Sequence, residues 1–208
     1  MSDWTSAKNN SDASDNAAEE IYQDYKKSIT LPLKKPARQF VLCPVGLVGS
    51  GKSTVVKALA QKLFLVPISS DELRRRLKER GFKYDRAKEL AMRMGCEFIE
   101  GGYSVAFDMN CGSPGSKKDI VQIEKKYGIP VVWIHVNPPE EFIVQKLKNY
   151  PHSWLFRDGE DAVEGYFKYK EKHGDFGSID FICSIDTSLD DLPKQIENAA
   201  KIIYEKYF

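Results

Sequence analysis

The sequence predicts an α/β fold built on an open sheet of parallel strands with helices on both faces. Three observations predict it. From Phe40 onward, short apolar runs alternate with stretches of helical periodicity, the pattern of strands joined by right-handed crossovers. A glycine-rich segment separates the first apolar run from the first helical stretch. The 208 residues are 42% hydrophobic and 12% aromatic, enough for the core of one substantial unit and too few for two.

Residues 1–20 are rich in Ser, Asn, Asp and Ala, with one lysine against five carboxylates. Such a composition buries too little surface to offset ordering entropy, so a disordered tail is expected. A short helix over Glu19–Ser28 and a basic connector, Thr30-Leu31-Pro32-Leu33-Lys34-Lys35-Pro36-Ala37-Arg38, follow; its prolines keep the connector extended. Tail, helix and connector occupy residues 1–38, and the catalytic-type domain residues 39–208. Expected strands are Phe40–Pro44, Leu65–Ser69, Tyr103–Met109, Val131–Val136 and Asp180–Ser184. Expected helices are Lys52–Phe64, Asp71–Arg80, Asp85–Glu100, Lys117–Tyr127, Pro139–Asn149 and a closing helix, Leu189–Tyr207. In the third, Ala87, Leu90, Ala91, Met94 and Phe98 recur at three and four residues, which marks one buried face.

Several classes are excluded. No apolar run approaches the roughly 20 residues of a membrane span, and the N-terminus lacks the basic-then-apolar design of a secretory signal. Cys43, Cys96, Cys111 and Cys183 form no C-x-x-C pair and have no histidine at metal-ligand spacing, which fits reduced thiols in a cytoplasmic protein. With Lys+Arg 31 against Asp+Glu 30, a long electrostatic track for nucleic acid is not expected, and any basic surface must be local.

The chemistry begins at Gly46-Leu47-Val48-Gly49-Ser50-Gly51-Lys52-Ser53, which fits G-x-x-x-x-G-K-[ST] and lies between a strand and a helix, as that motif requires. Glycines let backbone N–H groups turn inward around a phosphate, and the following helix adds its positive end. Gly46, Gly49, Ser50, Gly51, Lys52, Ser53 and Thr54 are the expected nucleotide contacts; Lys52 reaches the terminal phosphates and the Ser53 hydroxyl ligates Mg²⁺. Ile68-Ser69-Ser70-Asp71-Glu72-Leu73-Arg74 then ends a strand and starts a helix, at the sheet edge where ligands bind. There Asp71 can accept the proton of an attacking hydroxyl, and Arg74 can hold an anionic group of the acceptor. The bland alternative makes Asp71 a helix cap with Ser70, and Arg74 a surface cation.

These two elements together resemble the polynucleotide-kinase and zeta-toxin group of P-loop phosphotransferases, whose ATP-binding domain is AAA-type. The resemblance spans most of residues 39–190. It implies a P-loop NTPase three-layer sandwich with five parallel strands in the order 2-3-1-4-5, a small lid, ATP as donor, Mg²⁺ as metal and a hydroxyl as acceptor. It gives Asp71 of the D-x-x-R element the role of general base, and Arg74 that of contact to acceptor phosphate. Asp108-Met109-Asn110 is similar to the group's D-T-N element, implying that Asp108 supports the metal or the acceptor, with a strand-end turn as the alternative. The lid falls at about 149–160, where Arg157 is the lid cation; its other reading is a surface pair with Asp158 or Asp161. Lys146, Lys148 and His152 surround it in place of the group's several arginines. Tyr166, Phe167 and Tyr169 either stack on a base or pack in the core, and His135 packs in the sheet. The acceptor this implies is a short, single-stranded nucleic acid with a 5′-hydroxyl, or a nucleotide-sugar. A nucleotide-binding switch without a small acceptor is the competing reading, against which the sequence lacks an N-K-x-D tetrapeptide.

Overall fold

The computed structural model describes residues 4–151, 155–177 and 179–208, with side chains from residue 16 onward. His152, Ser153 and Trp154 of the lid lie outside the described residues. The chain runs α1 (Trp4–Ser28), β1 (Val41–Val45), α2 (Lys52–Lys62), β2 (Val66–Ser69), α3 (Ser70–Glu79), α4 (Ala87–Glu100), β3 (Val105–Asp108), α5 (Pro114–Tyr127), β4 (Val131–Val136), α6 (Glu140–Lys148), α7 (Gly159–His173), β5 (Cys183–Ile185) and α8 (Leu192–Tyr207). The five strands form one sheet in the order β2-β3-β1-β4-β5, and every pairing is parallel.

Central strand β1 is buried along its whole length, as an apolar run with no polar alternation demands. Its proline is tolerated for a local reason. Pro44 O accepts from Cys111 N at 3.0 Å on the β3 side, where the ladder has already ended at Leu42 and Ala106, so the missing N–H falls where no partner waits. Alternate residues of the strands feed two cores. Val41, Cys43, Ile68, Val105 and Phe107 pack beneath α1, α3, α4 and α5, whereas Leu42, Ala106, Val132, Ile134 and Val136 pack beneath α2 and α8. All five residues of the periodic face on α4 are buried. Gly95 lets that helix approach the sheet, since a Cβ there would stand 2.4 Å from the Phe107 ring.

Two elements differ from the sequence reading. Helix α1 runs back to Trp4 through residues expected to be a disordered tail. Its packed turns bury Ala18, Ile21, Tyr22 and Tyr25; no proline or glycine lies between Trp4 and Glu19, so the helix propagates from an already nucleated turn. Helix α7 was not anticipated. It is capped by Asp158, whose side chain accepts from Asp161 N at 2.8 Å, and it buries Ala162 and Tyr166 against Ile143 and Leu147 of α6 in a third, small core.

Candidate active site

The phosphate-type loop, Gly46–Gly51, leaves the carboxyl end of β1 and is held from three sides. A Cβ at Gly46 would stand 2.3 Å from Val136 O at the end of β4, so only glycine fits that approach. Gly49 and Gly51 take the left-handed region, with φ of 80° and 91°. Thr187, after β5, donates its hydroxyl to Ser50 O at 2.7 Å and stands where a Cβ on Gly51 would meet it at 3.0 Å. From α6, Lys146 reaches the Gly49 carbonyl at 3.2 Å. Ser50 is buried, yet its hydroxyl has no hydrogen-bond partner among the described residues. An unpaired buried hydroxyl in a glycine cradle fits a loop whose partner is a bound anion.

Lys52 begins α2 and folds back, donating to Leu47 O at 2.7 Å. Burial pulls its pKa down to about 8, while Asp71 and Asp108 act to raise it. Ser53 Oγ donates to Asp108 Oδ1 at 2.8 Å, and Thr54 sits exposed in the same first turn. Asp108 closes β3 and is 7% exposed. Burial raises its pKa; the Ser53 and Ser69 hydroxyls and Lys52 oppose that rise, and the Asp71 charge adds to it. A hydroxyl and a carboxylate side by side at the foot of the loop are hard oxygen donors, which suits Mg²⁺. Among the described residues no group of three His, Cys, Asp or Glu is placed to hold a metal, so a cation here would complete its shell with phosphate oxygens and water.

Asp71 lies one strand over, in the first turn of α3. The cap of that helix is Ser69, whose hydroxyl accepts from Glu72 N at 3.3 Å. Capping therefore does not engage Asp71, which is half-exposed and pairs with Arg74 at 2.9 Å. Both Asp71 and Arg74 bear electrostatically on Tyr169 of α7, and the Tyr169 hydroxyl accepts from Asn110 Nδ2 at 2.9 Å. The three aromatics thus part company. Tyr166 is core, donating to Glu140 at 2.9 Å; Phe167 is 47% exposed; Tyr169 alone stands at the site.

The lid cation is placed differently from the reading that brings Arg157 to the loop. Arg157 pairs with Asp161 at 3.4 Å and its side chain is 80% exposed, because the Asp158 cap sets Asp161 one turn into α7 beneath it. Of the cations around the lid, Lys146 contacts the loop. His135 packs as expected, stacked on Phe181 at 4.7 Å. The sequence reading missed Ser69 and Thr187 as site elements; it placed Lys146 beside the lid and left Tyr169 between stacking on a base and packing in the core.

Comparison with known proteins places these features in a wider set. A family model described as an AAA domain matches residues 41–158, which takes in the loop, Asp71, Asp108, Lys146 and Arg157. Curated proteins give no match. Similar solved structures include the APS kinase of Mycobacterium tuberculosis in complex with AMPPNP and APS, with a TM-score of 0.55, 14% identity, and 81% of this chain and 99% of that one covered. A gluconokinase from Sinorhizobium meliloti aligns with a TM-score of 0.54 and 14% identity over 83% of this chain and 95% of that one. A sugar kinase from Janibacter aligns with a TM-score of 0.53 and 17% identity over 81% and 95%. At these identities the likeness is one of fold.

Proposed function

Because the chain belongs to the AAA domain family, we propose that it is an ATP-dependent kinase that transfers the γ-phosphoryl group to a hydroxyl of a small, phosphate-bearing acceptor. The observation that carries this reading is the convergence at one sheet edge of the phosphate loop, the Ser53–Asp108 pair at 2.8 Å and the uncapped Asp71, whose charge is felt by both Lys52 and Asp108. The neighbours' names, an APS kinase in complex with AMPPNP and APS, a gluconokinase and a sugar kinase, support a kinase reading over a switch.

Gly46, Gly49, Ser50 and Gly51 cradle the phosphates, Thr54 supports them from the helix, and Lys52 leaves Leu47 O to neutralise the terminal charge. Ser53 and Asp108 hold Mg²⁺, which supplies charge neutralisation at the transferring phosphates when bound. Asp71 accepts the proton of the acceptor hydroxyl as its oxygen bonds to the γ-phosphorus; the bond from that phosphorus to the bridging oxygen breaks, and ADP leaves. Arg74 is the acceptor clamp. Its present partnership with Asp71 is exposed, and such pairs contribute at most about 1 kcal/mol, so an acceptor phosphate can displace it and free the base at once. Lys146 steadies the loop, and Arg157 joins it on lid closure. Within this reading the acceptor is mononucleotide-sized: a nucleotide-sugar, or the 5′-hydroxyl end of a short single-stranded oligonucleotide.

The test is a screen with γ-labelled ATP and Mg²⁺ against phosphorylated nucleosides, nucleotide-sugars, short 5′-hydroxyl oligonucleotides and unphosphorylated sugars. For the best acceptor, Asp71→Asn should lower kcat by about 10²- to 10⁴-fold with ATP affinity preserved. An unchanged kcat would remove Asp71 from the chemistry, and ATP hydrolysis with no labelled product would return the switch reading.

A further inference from the structure

Helix α1 lies outside the residues matched by the family model, yet it reaches the site. Strand β2 is the edge of the sheet, so half of its backbone groups face away from β3. Val66 N turns inward to Ser104 O at 2.9 Å; by alternation Pro67 and Ser69 face outward. Pro67 has no N–H to satisfy. The Ser69 N–H is satisfied by α1, donating to the Tyr25 hydroxyl at 2.8 Å.

Ser69 is no ordinary edge residue. It is the register partner of Asp108 across β2 and β3, and its side chain caps the helix that presents Asp71. Asp108 in turn accepts from Ser53. Tyr25 thus holds the Ser69 end of a register pair whose other member, Asp108, accepts from Ser53, and Ser69 also starts the helix of Asp71. Tyr25 is itself firmly set: 7% exposed, with the Arg76 guanidinium 5.2 Å from its ring centre. The helix that carries it is fastened by Arg93, which pairs with Glu19 at 2.6 Å and lies 4.1 Å over the Tyr22 ring, and by Arg80, which pairs with Asp24 at 3.0 Å.

We infer that Tyr25 is a positioning residue of the phosphotransfer site, fixing Ser69 so that Asp108 and Asp71 keep the geometry the metal and the acceptor require. The inference rests on the reading of Ser53 and Asp108 as the metal pair. It makes the N-terminal helix a working part of the enzyme, acting through a single hydroxyl.

Tyr25→Phe tests it in the full chain, since the ring and its packing are retained. Two quantities are measured: amide hydrogen exchange at Ser69 in the free protein, and the Mg²⁺ concentration at half-saturation for binding a fluorescent ATP analogue, with analogue affinity in EDTA as reference. Loss of one hydrogen bond should speed Ser69 exchange and raise the Mg²⁺ midpoint by about 3- to 10-fold, leaving the EDTA affinity within about twofold. Tyr22→Phe, one turn earlier in the same core, should move none of these and controls for loosening of α1. Asp108→Asn calibrates the metal reading. If it raises the midpoint while Tyr25→Phe leaves both midpoint and Ser69 exchange at wild-type values, the inference is overturned and the metal reading stands. If Asp108→Asn leaves the midpoint unmoved, the metal reading falls and takes the coupling with it.

Discussion

Lys52 carries a charge that the folded loop opposes until a phosphate arrives, and this can be measured without knowing the acceptor. Burial lowers its pKa from 10.5 to about 8, which at about 1.4 kcal/mol per unit corresponds to about 3 kcal/mol against the charged form. The side chain is only half-buried, and solvent screening reduces the share felt in stability to about 1–2 kcal/mol. The sign follows from proton binding. Below pH 8 the lysine is protonated in both folded and unfolded chains, and the folded state bears the full cost. Between about 8 and the ordinary lysine value the unfolded chain binds more protons, so stability rises with pH and the cost fades. Lys52→Met should therefore raise the melting temperature at pH 7 by roughly 2–6 °C for a chain of this size, and the advantage should shrink at pH 9. The same variant should lose the thermal shift that Mg·ATP gives the wild type, so the two melting curves exchange order once nucleotide is added. Scanning calorimetry at both pH values, with and without nucleotide, reads all of this. A variant that is less stable than wild type at pH 7, or that still gains stability from Mg·ATP, would refute the argument.

Arg74→Ala should raise KM for a phosphate-bearing acceptor by about 10-fold or more, as expected for the loss of a charge-assisted contact, with ATP binding intact; steady-state kinetics on the acceptor found in the screen decides it. Gly46→Ala places a Cβ at 2.3 Å from Val136 O, so the loop must shift. Nucleotide affinity should fall by at least 10-fold while the circular dichroism of the sheet and helices is kept, and wild-type affinity in that variant would mean the loop tolerates displacement.

Every strand was legible because each is a short apolar run bounded by polar or turn residues, and β4 matches at both ends, Val131–Val136. The phosphate loop was legible for the same reason: its chemistry is local, written in eight consecutive residues. What eluded sequence reasoning depends on long-range contact. Ser69, Ser70 and Asp71 are three successive residues that can cap a helix, and only the end of β2 at Ser69 decides which one does. Helix α7 hides behind glycines and charged residues, with just Ala162 and Tyr166 buried, too sparse a stripe to announce itself. Tyr25, Lys146 and Thr187 reach the site across the fold, and no spacing in the sequence records that.

The Thr187 hydroxyl grips a carbonyl 137 residues earlier in the chain, and this sets a time as well as a shape. β1, the loop and α2 are among the first parts of the domain to be synthesised, but the clamp on Ser50 belongs to the segment that follows the last strand. A growing chain can bury α4 and α5 against the early strands while its cradle is still open on one side. A chain stopped before Thr187 would carry the complete glycine motif, with the Val136 and Lys146 supports in place and the Ser50 clamp missing.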